Sequence, residues 1–272
     1  MSRCIAVASG KGGVGKSVIT ANLSAALALS GAKVLIIDAD IGLRSQDALL
    51  SLENRVVYDL IDLARGDCAP EQAVLPCEQI PSLFLLPAAQ FERVKSLEPK
   101  KLAKIIRAFR DSYDFIIIDC PAGIERGLRN VLNAGIDETV LVVTPDDISV
   151  RSAERTAQVL EAKKAPRPVL IVNRLDASLV RSGEMMSPRT VSQVLDLQLL
   201  GVIPEDPAVY RAQLKHGLFV NYQCEARAAV LRIASRIRGA HTPIREFTRQ
   251  RNGILRKFHT GTLKEVTPLD DH

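Results

Sequence analysis

The chain is 272 residues long, 47% apolar and 25% charged, with a formal net charge of +5, which is enough length and apolar side chain for one large α/β domain with a substantial core. No run approaches the ~18 consecutive apolar residues of a membrane-spanning helix. Met1-Ser2-Arg3 leads straight into the first apolar run, so neither a signal nor a transit peptide is expected and the chain reads as cytoplasmic.

Taken in chain order, residues 5–8 form a short buried-strand run, and residues 18–29 have helical periodicity ending near Gly31. Between them lies Gly10-Lys11-Gly12-Gly13-Val14-Gly15-Lys16-Ser17, which satisfies the phosphate-loop pattern G-x-x-x-x-G-K-[ST]. The glycines let backbone N–H groups approach phosphate oxygens, and the helix start adds partial positive charge. Lys16 is placed to neutralise the β- and γ-phosphates, and the Ser17 hydroxyl to ligate magnesium. Lys11 is a second lysine at the first variable position of the loop.

Further apolar runs at 34–37, 83–86, 115–118, 140–143, 169–172 and 199–203 alternate with helical patterns at 56–64, 99–111, 149–163, 188–196 and 225–238. Runs buried on both faces and separated by helices predict a doubly wound, mostly parallel sheet with helices on both faces, the fold class of P-loop NTPases. Ligands in such sheets lie beyond the carboxyl ends of the strands. Asp38-Ala39-Asp40 follows the run 34–37, and Asp119 follows 115–118. Beside a phosphate loop, Asp119 is positioned to hold magnesium through water. The Asp38–Leu43 and Pro121–Gly123 segments are candidate switches that a third phosphate would order.

Five cysteines, Cys4, Cys68, Cys77, Cys120 and Cys224, are odd in number and contain no C-x-x-C pair, so they read as reduced thiols without a zinc or disulfide framework. Between His241 and His259, five basic residues stand against one acid, so most of the excess charge lies near the C-terminus. The expected organisation is a P-loop domain over residues 1–239 and a tail over 240–272, with a short amphipathic helix at about 251–259. On that helix Ile254, Leu255 and Phe258 share a face, Arg256 points away, Phe247 extends the stripe by seven residues and Arg251 falls within it.

The loop from Lys11 to Ser17, with Asp38–Arg44, Glu53–Leu60, Asp119–Glu125 and Gly201–Asp206, resembles the MinD/ParA family of deviant Walker A ATPases, in its septum-site-determining branch. The resemblance runs from about Ser2 to Phe258. It implies an ATP-dependent homodimer that uses ATP and Mg2+, with Lys11 reaching the partner's phosphates and slow, partner-stimulated hydrolysis. The implied nucleotide contacts are Gly10, Lys11, Gly12, Gly13, Val14, Gly15, Lys16, Ser17, Val18 and Asn173, with backbone around Pro204 and Asp206 closing over the base. Lys11, Lys16 and Asp40 would act in catalysis, Asp40 on the attacking water, and Ser17, Asp38 and Asp119 at the metal.

The same resemblance implies that Ile254, Leu255, Arg256, Lys257 and Phe258 target the chain to an anionic membrane, on the cytoplasmic face of the inner membrane when ATP is bound. It also implies a MinC-like division inhibitor and a MinE-like activator as partners, with no nucleic acid. A ParA-like DNA-partition ATPase and a flagellar-number regulator of the same family are the alternative functions. Two positions depart from the family pattern: Ser17-Val18 replaces a pair of threonines, and Ser45 replaces an asparagine after Arg44.

Overall fold

A computed structural model describes residues 2–89, 97–124, 126–245, 247 and 265–266. Strand β1 (Arg3–Ala8) runs through the glycine loop into α1 (Lys16–Leu29), followed by β2 (Val34–Asp38), α2 (Ser45–Leu49), α3 (Leu60–Arg65), α4 (Pro70–Ala73), β3 (Leu75–Pro76) and β4 (Leu83–Leu86). Then come α5 (Pro99–Phe109), β5 (Phe115–Asp119), α6 (Arg126–Leu132), β6 (Glu138–Val143), α7 (Asp147–Ala162), β7 (Val169–Leu175), α8 (Ala177–Ser182), α9 (Pro188–Leu195), β8 (Leu199–Pro204), α10 (Pro207–Leu214) and α11 (Glu225–Ile237). A short bridge pairs β9 (Ile244–Arg245) with β10 (Glu265–Val266).

The main sheet has eight strands in the order β3-β4-β2-β5-β1-β6-β7-β8, parallel throughout except where β3 pairs antiparallel with β4. Because side chains alternate along a strand, β1 divides its residues between two cores. Cys4, Ala6 and Ala8 pack on one face with residues of α5, α6, α7 and α9. Ile5 and Val7 pack on the other with α1 and α11. Helix α1 is buried on most of its circumference, which its alanines permit by letting sheet and α11 approach closely.

Local chemistry sets the helix limits. In α5, Leu102, Ile105, Ile106 and Phe109 repeat at the spacing of one helix face, and Pro99 opens the helix where no N–H is needed. The helix expected over 56–64 is corrected: Val56 is extended and α3 begins only at Leu60, after Asp59 caps the N–H groups of Ile61 and Asp62 at 2.7 and 3.1 Å. Asp59 in an extended conformation accepts those bonds best, so capping prevails over the apolar pattern upstream. Strand β3 and helices α2, α4, α6, α8 and α10 were not expected; all but α10 are shorter than the eight residues of α9 and too short to repeat a pattern.

Candidate nucleotide site

Strand register assembles the site. Asp119 pairs with Val7 of β1 on one side and with Asp38 of β2 on the other, so the three strands end at one level. The glycine loop leaves β1 there, beside carboxylates from β5 and β2. Two glycines have specific reasons. A Cβ at Gly10 would lie 2.3 Å from the backbone carbon and oxygen of Ser152, so the loop can pass α7 only without a side chain. Gly15 has φ +90°, a left-handed conformation that favours glycine, and a Cβ there would meet the Asn173 amide nitrogen at 2.5 Å.

Lys16 is 5% exposed, and its Nζ donates to Asp119 Oδ1 at 2.7 Å and to Ser17 Oγ at 3.2 Å, with Asp40 Oδ2 at 3.7 Å. Burial works against the lysine's charge, but the attraction of Asp119, its hydrogen bond and the charge of Asp40 together hold the pKa above its ordinary value. Asp38 is fully buried, and burial followed by the charge of Asp119 pushes its carboxyl well above the carboxylate range, despite hydrogen bonds from the Gln46 and Asp40 N–H groups. Asp40 is raised as well, mainly by burial, which outweighs the nearby Lys16.

Three carboxyls facing one lysine in a buried pocket leave a deficit of positive charge. Among the described residues no three His, Cys, Asp or Glu side chains converge as a cage. This combination fits a magnesium ion that keeps several waters and takes phosphate oxygens as ligands, and it does not fit a closed structural metal site. A buried, unpartnered Gln46 Oε1 at the same place adds an acceptor for such a water. Ser17, Asp38 and Asp119 are the residues that would hold the ion, with Asp38 and Asp119 acting through water.

On the rim, Lys11 Nζ pairs with Asp146 Oδ1 at 3.3 Å. Asp146 caps α7 through the Ser149 N–H at 2.9 Å, and the Thr144 hydroxyl donates to it. Burial alone would raise the Asp146 carboxyl, but these donors and Lys11 hold it below the usual range. Lys11, Gly12, Gly13, Asp146, Arg174 and Met185 line an open cleft of about 290 Å³.

Asn173 is buried and its Nδ2 donates to the Val14 carbonyl at 2.8 Å, fastening β7 to the phosphate loop. The Asp206 carboxylate accepts from the N–H groups of Ala208 and Ala226 at 2.9 and 3.1 Å, so it fixes the chain after Pro204. Both candidate switches touch the site: Gly123 N donates to Ser9 O at 3.0 Å, and Ala39 N to Asp119 O at 3.0 Å. Of the two departures, Val18 packs half-buried beside the α1 core, and Ser45 Oγ is buried without a hydrogen-bond partner.

A sequence profile of the ParA family, described as NUBPL iron-transfer P-loop NTPase, matches residues 1–238. The septum site-determining protein MinD of Synechocystis is 39% identical over 260 residues, covering 95% of this chain and 97% of that protein. The chain belongs to the MinD/ParA family of P-loop ATPases. Solved structures agree: the Aquifex aeolicus MinC:MinD cell division complex matches with TM-score 0.81, 36% identity and coverage of 90% of this chain and 100% of that one. MinD of Pyrococcus horikoshii complexed with Mg-ADP matches with TM-score 0.77, 33% identity and coverage of 87% and 96%. Family membership makes this a nucleotide- and Mg2+-dependent ATPase of septum-site determination and cell division.

No helix among the described residues is long and apolar enough to cross a membrane. The expected targeting residues Ile254, Leu255, Arg256, Lys257 and Phe258 lie outside the described residues. Phe247, expected to extend their stripe, packs partly buried against the domain core with the Arg245 guanidinium 5.6 Å from its ring.

Thr20, Gln46 and Asp146 complete the site without having been singled out from sequence. Thr20 stands one turn after Lys16, the same helix face, with its Oγ1 3.1 Å from Asp119 Oδ1. That signal was available. Gln46 and Asp146 enter through loop geometry that no periodicity encodes.

Proposed function

We propose that this ATPase closes as an ATP-dependent homodimer, that Lys11 is the residue delivered across the interface, and that the dimer binds anionic membrane through its C-terminal tails. The observation that carries this reading is the position of Lys11. It sits on the rim of an open cleft, about a third exposed and, among the described residues, held only by a long pair to Asp146, while Lys16 is buried inside. Two lysines in one loop with such different surroundings suit different tasks. Lys16 serves its own phosphates, and Lys11 is free to exchange Asp146 for phosphate oxygens presented by a second copy, where a late cation stabilises developing charge.

Within one protomer, Lys16 leaves Asp119 for the β- and γ-phosphates as nucleotide enters. The N–H groups of the loop from Gly10 to Val18 line the phosphates, and Asp40, raised by burial, orients the attacking water. The bound Mg2+ would neutralise phosphate charge beside Ser17, Asp38 and Asp119. Asn173, with backbone around Pro204 and Asp206, borders the base. The alignment of Asp38, Asp119 and the loop at one level supports these assignments.

The tail reading rests on Ile254, Leu255 and Phe258 sharing one helical face next to Arg256 and Lys257. Each apolar side chain supplies at most about 2 kcal/mol on burial, and each basic residue roughly 1 kcal/mol at an anionic leaflet. One tail is therefore a marginal anchor, and two on a dimer gain avidity of 100-fold or more. The domain, residues 1–239, would thus cycle between cytoplasm and the cytoplasmic face of the inner membrane. A MinC-like inhibitor is the expected partner by similarity to the Aquifex complex, and a MinE-like activator follows by family. Vesicle sedimentation with ATP, ADP or no nucleotide tests the anchor. Wild type should pellet with ATP and Phe258→Asp should not, while both bind nucleotide; equal pelleting would refute it. ATP-dependent retention on DNA without vesicles would favour a partition role instead.

A further inference from the structure

Gln46, the second residue of α2, is fully buried. Its Nε2 donates to Asp119 Oδ2 at 2.6 Å and to the Ser17 carbonyl at 3.0 Å. Its backbone N–H donates to Asp38 Oδ2 at 3.1 Å. Gln46 therefore touches both carboxylates assigned to the metal and the backbone of Ser17, whose hydroxyl is the third assigned group. Because both partners of the side-chain nitrogen are pure acceptors, the orientation of the amide is fixed by chemistry.

That orientation leaves Oε1 buried and without a donor. A buried carbonyl oxygen left in this state is costly, and native proteins rarely keep one without a use. The acceptors beside it are only partly occupied. Asp119 Oδ1 faces Lys16 and Thr20, whereas Oδ2 receives Gln46 alone and keeps a lone pair. Each Asp38 oxygen receives a single N–H, from Asp40 or Gln46. The donors present, among them Lys16, Thr20 and the Gln46 amide, leave Gln46 Oε1 and part of the carboxylate capacity unfilled, and a hydrated cation, whose waters present O–H groups outward, is the complement of those free acceptors.

We propose that Gln46 is a positioning residue for hydrated magnesium: its amide nitrogen holds Asp119 in place and its amide oxygen accepts a hydrogen bond from a water of the ion. The proposal rests on the reading of Ser17, Asp38 and Asp119 as the metal site. It gives a function to an amide that the motifs leave unassigned, and it ties α2 to the state of the nucleotide pocket. When the ion and its waters leave, Oε1 loses its donor, so the start of α2 is less firmly held.

The test measures ADP affinity by calorimetry in EDTA and across a Mg2+ titration, for wild type, Gln46→Met, Gln46→Asn and Asp119→Asn. Partners of metal ligands commonly contribute 10- to 100-fold to metal affinity. Gln46→Met keeps the volume and removes every polar contact of the side chain. It should raise the Mg2+ concentration giving half of the Mg2+-dependent gain by about 10-fold, with ADP affinity in EDTA within about 2-fold of wild type. Gln46→Asn, polar but shorter, should recover part of that loss. An unchanged Mg2+ midpoint in Gln46→Met, or an equal loss of ADP affinity with and without Mg2+, overturns the proposal. If Asp119→Asn also leaves the midpoint unmoved, the metal-site reading itself fails; if Asp119→Asn moves it and Gln46→Met does not, only the role of Gln46 fails.

Discussion

The pair Lys16–Asp119 joins the phosphate loop to β5, and Asp119→Ala measures how strongly. Both side chains are almost completely buried and meet at 2.7 Å. Removing one partner of a buried pair typically costs about 3–5 kcal/mol, because the other charge is left without compensation. Here Asp40 remains 3.7 Å from Lys16, so the lower end, about 3 kcal/mol, is expected. For a domain of this size, that corresponds to a fall in Tm of about 6–12 °C. Nucleotide phosphates offer Lys16 a new counter-charge, so ADP in the presence of EDTA should raise the Tm of Asp119→Ala by more than it raises that of wild type. Circular dichroism melts with and without ADP give both quantities. An unliganded variant melting within about 2 °C of wild type, or an equal response to ADP, would refute the idea that Asp119 neutralises Lys16 until phosphate arrives.

Gly10→Ala should destabilise by about 1–3 kcal/mol through overpacking, since the new methyl meets the Ser152 carbonyl at 2.3 Å, and ADP affinity should fall as the loop shifts; thermal melts and calorimetry read both. At the other end of β1, Asp137 receives the Cys4 N–H at 2.7 Å and the Arg110 guanidinium at 2.8 and 3.0 Å. Burial would raise its carboxyl, but Arg110 and the Cys4 N–H hold it below the ordinary value. A lowered folded-state pKa means that Asp137 stabilises above the unfolded pKa of about 3.9 and loses this as pH falls through the folded value. The urea midpoint of Asp137→Asn should therefore lie below wild type at pH 7, with the gap starting to close near pH 4 and vanishing only as pH falls through the lower folded-state value; a gap independent of pH would contradict the assignment.

The sheet was legible because its strands are continuous apolar runs buried on both faces, and only β3, two residues long at the edge, escaped. The phosphate loop, Asp38, Asp40 and Asp119 were legible because they follow those strands directly, and register then brings them together. Periodicity failed at residues 56–59, where an Asp59 cap overrides the apolar pattern. It was silent about Gln46, whose burial depends on the path of the chain after Gly42. Asn173 shows a subtler limit. The family resemblance implied a contact with the base but not its bond to Val14, because a side chain crossing from β7 to the loop after β1 is a tertiary contact.

If the second lysine of the loop acts between protomers, sedimentation velocity with ATP in Mg2+ should show wild type as a dimer and Lys11→Ala as a monomer that has lost hydrolysis while still binding nucleotide through Lys16. A Lys11→Ala protein that dimerises and hydrolyses ATP as wild type does would contradict that role.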